Sequence, residues 1–502
     1  MTSTDADPAS RGVAMGRLGL AIVLSAQLVV VLDFSIVNVA LPDMSTQLGV
    51  SSTSVQWVVT AYAITFGGLL ILGGRAADLF GRRRLLVAGL IGFAVASAAG
   101  GIAADFALLV AARAVQGLFA AMVAPAALSI LTTSFHGQQR NRVLGYFGAT
   151  ASVGFVLGLV LGGVLVEFGT WRAVFFVNVP VCLACALAAG RSVPAGAAVG
   201  TERHLDALGA VLVTAGTAAL VYAPTAGAAS GWTSAPFGAS LVVAFVVLAA
   251  FVLHEQRSRR PLLDLSLFRS RTLAAGDAVT LLAGAWNGGE VLILSLYCQQ
   301  VLRYSPLVTG LVVIPQGVAG LLRGVVGASL VARLGVKRFL AASAACSAIG
   351  LGLLLRYAST SHYPLLGVVL FVVGFGTTSV VFGAVVAGTA GVDDDEQGLA
   401  GALVNAARQV GSAVGVATLV SIAVTRAQAG GGSPAATGDG YRFAMTMAAA
   451  LAVAAGLVSL FAHERTSREH LVRLHRHGCA EPWPVPEVLA LPPAAPKAAP
   501  SP

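Results

Sequence analysis

Fourteen stretches of this chain, each of about 17–27 residues, are almost free of charge. That repetition leaves few folds open. At 1.5 Å rise per residue, about 20 residues cross a ~30 Å hydrocarbon layer. In lipid every backbone N–H and C=O needs an internal partner, which for runs this long leaves the α-helix. The chain therefore reads as an all-α integral membrane protein with 14 transmembrane helices. They are expected near residues 17–41, 55–74, 85–104, 107–132 and 143–166, with a sixth closing near 189. The rest fall near 207–223, 237–253, 273–297, 307–330, 339–357, 363–388, 398–424 and 442–462. Composition agrees, since only 11% of the residues are charged against roughly 25% in soluble domains. A 502-residue chain cannot cover itself for water from that supply.

An even number of spans puts both termini on one side. Most of the 31 Lys and Arg fall on the loops and tails of that side, among them Arg75, Arg82, Arg83, Arg84, Arg140, Arg142, Arg257, Arg333 and Arg338. Positive loops stay inside, so both termini are expected in the cytoplasm, with the chain in the cytoplasmic membrane. The net charge of +9 is then an orientation signal, and nucleic acid is not an expected partner. The acidic run 393–396 does not oppose this, because acidic residues weigh little in the rule. The expected organisation is a cytoplasmic tail (1–16), a six-helix bundle (17–190), a linker carrying two added helices (191–262), a second six-helix bundle (263–462) and a basic, then Pro-rich tail (463–502). The segment 463–476 suits an amphipathic helix on the inner leaflet. Cys182 and Cys185 form a CxxC inside an apolar run, where they read as packing residues rather than a redox or zinc pair. A small-residue helix followed by a basic turn occurs at 74–84 and again at 327–338, the kind of echo that repeat-built transporters show.

Charges inside the spans carry the functional information. A carboxylate at mid-membrane costs at least ~2.5 kcal/mol on insertion scales, so it needs a partner, a proton or a task. Asp33 stands in the first apolar run, LDFSIVNVALP (32–42). It is either a structural Asp bonded to backbone or to Asn38, or a proton or cation site. Arg113 lies about seven residues into the fourth span, too deep for easy snorkelling. Glu290 is flanked by Trp286 and Asn287, a set suited to a cationic, partly apolar substrate through charge and ring contacts. Asp277 is expected at the membrane interface. Arg323 and Arg408 are further intramembrane cations, with an anionic substrate group or Glu290 open as partners of Arg323, and substrate or Asn405 and Gln409 as partners of Arg408. There is no GxxxxGK[ST], HExxH or GxSxG in the sequence and no Cys/His metal spacing. An enzyme is not expected, no cofactor or metal is implied, and ATP cannot drive work within this chain.

Eight motifs in register resemble the major facilitator superfamily, in its fourteen-helix drug:proton antiporter branch (the EmrB/QacA type). Besides the first-helix stretch they are GRAADLFGRRR (74–84), RAVQG (113–117), the glycines of 154–163, WRAVFFVNVP (171–180), PLLDLSLF (261–268), LYCQQVLRYSPLVTG (296–310) and GLAGALVNAARQVGSAVG (398–415). The resemblance implies a monomeric exporter that exchanges small amphiphilic drugs or antibiotics for protons across the lipid bilayer by alternating access. It also implies that Arg113 faces Asp33, with Asn38 and Gln116 close to the cavity. If the helices separate during transport, the attraction that keeps Asp33 charged changes, and a proton can be taken or given. Gly74, Asp78, Gly81, Arg82 and Arg83 match the superfamily's gating loop, where Asp78 can accept from helix-terminal N–H groups and Arg82 can pair with carboxylates. Leu79 replaces a usual basic residue there, so a weaker latch is expected. Gly154, Gly158, Gly162 and Gly163 match the antiporter motif and allow tight packing of the fifth helix. Leu159 replaces the usual proline, so the customary kink is not expected. Two variants remain open at this stage: dedicated export of one self-made antibiotic or metabolite, and a non-transporting receptor or scaffold of the same fold.

Overall fold

The computed structural model describes residues 15–135, 137–194, 206–258, 263, 265–357, 363–389 and 397–462. Fourteen helices are long and apolar enough to cross a membrane, and no strand occurs among the described residues. Their main helical segments, in order, are α1 (Arg17–Leu48), α2 (Trp57–Phe80), α3 (Arg82–Gly101), α4 (Phe106–Ser134), α5 (Gly137–Glu167), α6 (Asn178–Ser192, part of the span Ala173–Ser192) and α7 (Ala207–Ser230). Then come α8 (Ala235–Arg257), α9 (Arg271–Leu296), α10 (Ile314–Leu334), α11 (Val336–Tyr357), α12 (Tyr363–Thr389), α13 (Gln397–Ala429) and α14 (Pro434–Ser459). Short helices at Ala173–Phe176 and Pro306–Val312 lead into α6 and α10. The expected amphipathic tail, the acidic turn 393–396 and most of the linker before α7 lie outside the described residues.

Several helices outrun the apolar runs that predict them. Hydropathy ends the first span at 41, yet α1 continues through Pro42 to Leu48, where Gly49 terminates it at φ 65°. Hydrogen bonding propagates past the last apolar residue until a residue able to turn left-handed stops it. Gly81 (φ 95°) and Gly335 (φ 78°) take a similar backbone conformation between α2 and α3 and between α10 and α11. The sequence echo between the halves therefore has the same turn at its centre. Helix starts are capped by side chains: Asp105 accepts from Leu108 N at 2.8 Å and Asp206 from Gly209 N at 2.8 Å.

The halves meet along three seams. Helix α2 runs against α13, where a Cβ on Gly67 would lie 2.9 Å from Gln409 Cβ. Helix α5 crosses Pro306–Val312 and α10, with Gly163, Gly310 and Gly317 at the closest points. Helix α1 touches α9 near their C-terminal ends, where Ser295 Oγ donates to the Asn38 carbonyl. The two added helices are not equivalent. Helix α7 lies over the α2–α13 seam: Gln56 Nε2 donates to Thr225 Oγ1 at 3.1 Å, Trp57 and Tyr222 stack obliquely, and Gly68 makes room for Thr214. Helix α8 presents Val242, Val243, Phe245 and Val246 outward, as a lipid-facing helix does.

Candidate functional site: a buried ion pair between the first and fourth helices

Asp33 and Arg113 are both fully buried (0% exposed) and in contact, with Arg113 Nη1 donating to Asp33 Oδ2 at 2.6 Å. Two more donors hold the other carboxylate oxygen. Gln116 Nε2 reaches Asp33 Oδ1 at 3.1 Å, and Asn178 Nδ2 reaches it at 2.7 Å. Gln116 lies three residues after Arg113, so one face of α4 carries both, and its Oε1 accepts from Arg113 Nη1 at 2.8 Å. The guanidinium is anchored on its far side by Val58, whose carbonyl accepts from Nε at 2.8 Å, and it lies 4.4 Å over the Tyr62 ring. Its Nη2 has no hydrogen-bond partner.

Val177 keeps helical dihedrals (φ −61°, ψ −29°) between Ala173–Phe176 and α6, and Asn178, the first residue of α6, is buried against Ser97 of α3. Ser97 Oγ donates to the Phe175 carbonyl at 2.8 Å, so its lone pairs remain to accept from Asn178 Nδ2 at 3.2 Å. Neither Asn178 nor Ser97 is among the residues that sequence reasoning selects. The only signal was a polar residue inside the motif at 171–180. Helices α4 and α6 thus hold the α1 carboxylate directly, while Ser97 of α3 and the Val58 carbonyl of α2 hold Asn178 and Arg113 in turn. A hydrogen bond to a charged group is worth about 1.5–3 kcal/mol. Asn178→Ala removes one and leaves Ser97 on its bond to the Phe175 carbonyl, so thermal unfolding in detergent should show a loss of about that size; Ser97→Ala should cost less. Equal, negligible losses in both variants would mean that Asn178 does not hold the carboxylate.

The arrangement is one-sided: Asp33 meets donors only.

Asn38 is buried on the same helix, but its amide is spent on its own backbone, donating to the Phe34 and Ser35 carbonyls at 3.0 and 3.3 Å. In the second half, Glu290 is fully buried and its Oε2 accepts from Gln316 Nε2 at 3.1 Å. Glu290 Oε1 and Gln316 Oε1 have no hydrogen-bond partner. Trp286, one turn before Glu290, is also fully buried, with Nε1 donating to Thr377 Oγ1 at 3.1 Å. Its ring packs in the apolar core. Asn287 is half-buried. Arg323 lies 5.0 Å over the Phe382 ring and its Nε has no hydrogen-bond partner, so its contact is an aromatic face and not Glu290. Arg408 donates to Asn405 Oδ1 at 2.9 Å. Asp277, expected at the interface, is buried instead, and neither of its oxygens has a hydrogen-bond partner. The reason is its neighbour Gly276, which lets the backbone of Ala384 and Gly388 on α12 come to 3.0 Å from a built Cβ.

The glycine-rich motif of α5 serves two neighbours. Gly154, Gly158 and Gly162 face α1 at Val31, Ser35 and Ile36, whereas Gly163 faces Pro306 and Leu307. Helix α5 runs unbroken through Leu159. In the loop between α2 and α3, Arg83 donates to the carbonyls of Gly190 and Val193 at 3.2 Å each, closing the C-terminal end of α6. Close approach at that end of α2 falls on Gly73, where a Cβ would sit 1.9 Å from the Ala121 carbonyl oxygen, and not on Gly74, which has 3.7 Å to Pro125. Gly81 supplies the turn before Arg82, and the Asp78 side chain lies outside the described residues.

A fourteen-span helical chain with a buried ion pair between its helices is a multi-pass membrane protein. The Major Facilitator Superfamily model matches residues 23–416. The chain is 41% identical over 445 residues to the puromycin resistance protein pur8 of Streptomyces alboniger, covering 87% of this chain and 88% of that one. It is 37% identical over 434 residues to the cephamycin export protein CmcT of Amycolatopsis lactamdurans, covering 84% and 87%. A crystal structure of the peptide transporter POT in complex with sulfate shares the fold, with a TM-score of 0.66 at 16% identity over 90% of this chain and 95% of that one. The protein belongs to the major facilitator superfamily.

Proposed function

We propose that this protein exports small amphiphilic drugs or antibiotics across the cytoplasmic membrane in exchange for protons, by alternating access between α1–α6 and α9–α14. The observation that carries the proposal is the Asp33 carboxylate, sealed from water and held only by donors from separate helices. It is a charge that a proton can neutralise and helix movement can release. Relatives named for puromycin resistance and cephamycin export support export as the direction and antibiotics as the substrate class. The predicted orientation, both termini in the cytoplasm, puts the arginine-rich loops at Arg75–Arg84 and Arg333–Arg338 on the inner face, and the unit of transport is the monomer. Gly74, Asp78, Gly81, Arg82 and Arg83 act there as the inner gate. Retained intramembrane charges count against a receptor that does not transport, because a scaffold gains nothing from them.

In this reading Glu290 and Gln316 form the cation-recognising part of the substrate path. Two buried acceptor oxygens lack donors, a lack that an ammonium group corrects, and Arg408, Arg323 and Asn287 vary the polarity around them. Glu290→Gln should raise the KM for cationic substrates about tenfold and leave neutral substrates almost unchanged. An equal change for both kinds would remove Glu290 from recognition. The whole reading is tested by drug uptake into inside-out vesicles energised with a proton gradient, with and without an uncoupler. Uptake that ignores the uncoupler would overturn proton coupling. A panel of antibiotics in the same assay separates broad export from dedicated export of one self-made compound, the narrower variant favoured by the two relatives' names.

A further inference from the structure

The contact between α1 and α9 has an unusual chemical basis. Pro42 lies inside α1 and has no N–H to give to the carbonyl four residues earlier, that of Asn38. This carbonyl is served from the other half of the protein: Ser295 Oγ donates to it at 3.0 Å. The next carbonyl, Val39, accepts from Gln299 Nε2 at 3.0 Å, and the same amide donates to Ser295 Oγ at 3.3 Å. The donor side is also irregular. Residues Tyr297–Val301 are wound as one π turn, with Leu302 N bonding to Tyr297 O at 3.0 Å. Such turns recur at functional sites. Two residues later Arg303 is left-handed (φ 59°), the only non-glycine residue with positive φ among those described. A second bond closes the same end, as Glu167 at the end of α5 accepts from Leu307 N at 2.9 Å and so caps the helix Pro306–Val312.

We propose that Pro42 arms a latch between the two halves at the end remote from the arginine-rich loops. Closed, the carbonyls of Asn38 and Val39 are satisfied by Ser295 and Gln299 across the seam. Opening hands the Asn38 carbonyl to water, because its own helix has no donor for it. The bond to the Asn38 carbonyl is therefore matched by a hydrated group in the open state, so opening proceeds only as water enters the seam. The inference goes beyond the export reading. It needs two conformations and no particular substrate.

The test is a distance measurement on the full-length protein in lipid nanodiscs. Its five cysteines are replaced by alanine, and spin labels are placed at Thr46 and Val308, both exposed at this end. Ser295→Ala and Gln299→Leu should each raise the ratio of long to short distances roughly fivefold, the effect of one net hydrogen bond. Ser295→Thr, which keeps the hydroxyl, should leave it unchanged. Pro42→Ala is the diagnostic variant. Its new N–H recaptures the Asn38 carbonyl, so it should open the latch as Ser295→Ala does, and the two together should add little beyond either. Unchanged distributions, or independent addition of Pro42→Ala and Ser295→Ala, would overturn the latch. A latch that behaves as expected in a protein that moves no drug would sink the export reading alone.

Discussion

Asp33→Asn is expected to end gradient-driven efflux while leaving the protein in the membrane. The amide keeps the shape of the carboxylate but cannot carry a proton through the cycle, so uptake in energised inside-out vesicles should drop to the uncoupled background. The substitution also leaves Arg113 as a buried cation whose partner is gone. Removing one side of a buried pair costs about 3–5 kcal/mol. Here the Val58 carbonyl, Gln116 Oε1 and the Tyr62 face remain around the guanidinium, so the lower end of that range is expected in thermal unfolding. The double variant Asp33→Asn with Arg113→Gln separates the two effects. With both charges removed, much of the stability should return, since neutral replacements of buried pairs are often well tolerated. Transport should not return. Restored proton-dependent uptake in the double variant would show that the pair is structural and that coupling resides elsewhere.

Asp33 and Arg113 are legible in the sequence for a plain energetic reason. A charge in an apolar run is expensive, whereas their pairing is legible only through the family resemblance. Their other partners leave no such trace. Val58 contributes a carbonyl, which every residue owns, and Asn178 and Ser97 are neutral residues that spans tolerate. Asn178 is turned inward by the packing of α6 against α3, where it meets Ser97, and hydropathy carries no trace of that. Tertiary packing also decides what composition cannot. Trp286 has the chemistry of a ligand contact, yet in the structure its ring belongs to the core and its N–H is already bonded to Thr377. Asp277 lies near a span end in sequence, but Gly276 draws α12 over it. The fourteen spans are the most legible level, because helix formation in lipid is forced by the backbone alone. Their ends are less so, since α1 extends to Gly49 on hydrogen bonding that needs no apolar side chains.

Substitution of Gly158 should disable the protein without touching a charge. A Cβ at this position would lie 1.9 Å from Ser35 Oγ, 2.6 Å from the Leu32 carbonyl oxygen and 3.1 Å from Ile36 N. The hydroxyl can swing aside, but the two backbone atoms belong to the turns of α1 that flank Asp33 and cannot yield without moving the helix. Overpacking of this kind costs about 1–3 kcal/mol. Gly158→Ala should therefore lower thermal stability by about that amount, and Gly158→Leu by more. The displacement is directed at the ion pair. Pushing α1 away from α5 changes its approach to α4, and the 2.6 Å contact between Arg113 and Asp33 leaves little slack, so efflux should fall at least tenfold even where the variant is folded. Ser35→Gly in the Gly158→Ala background removes the nearest clash and leaves the backbone ones, so a partial return of stability is expected. Full activity in Gly158→Ala would mean that the glycine face of α5 merely fills space and has no part in positioning Asp33.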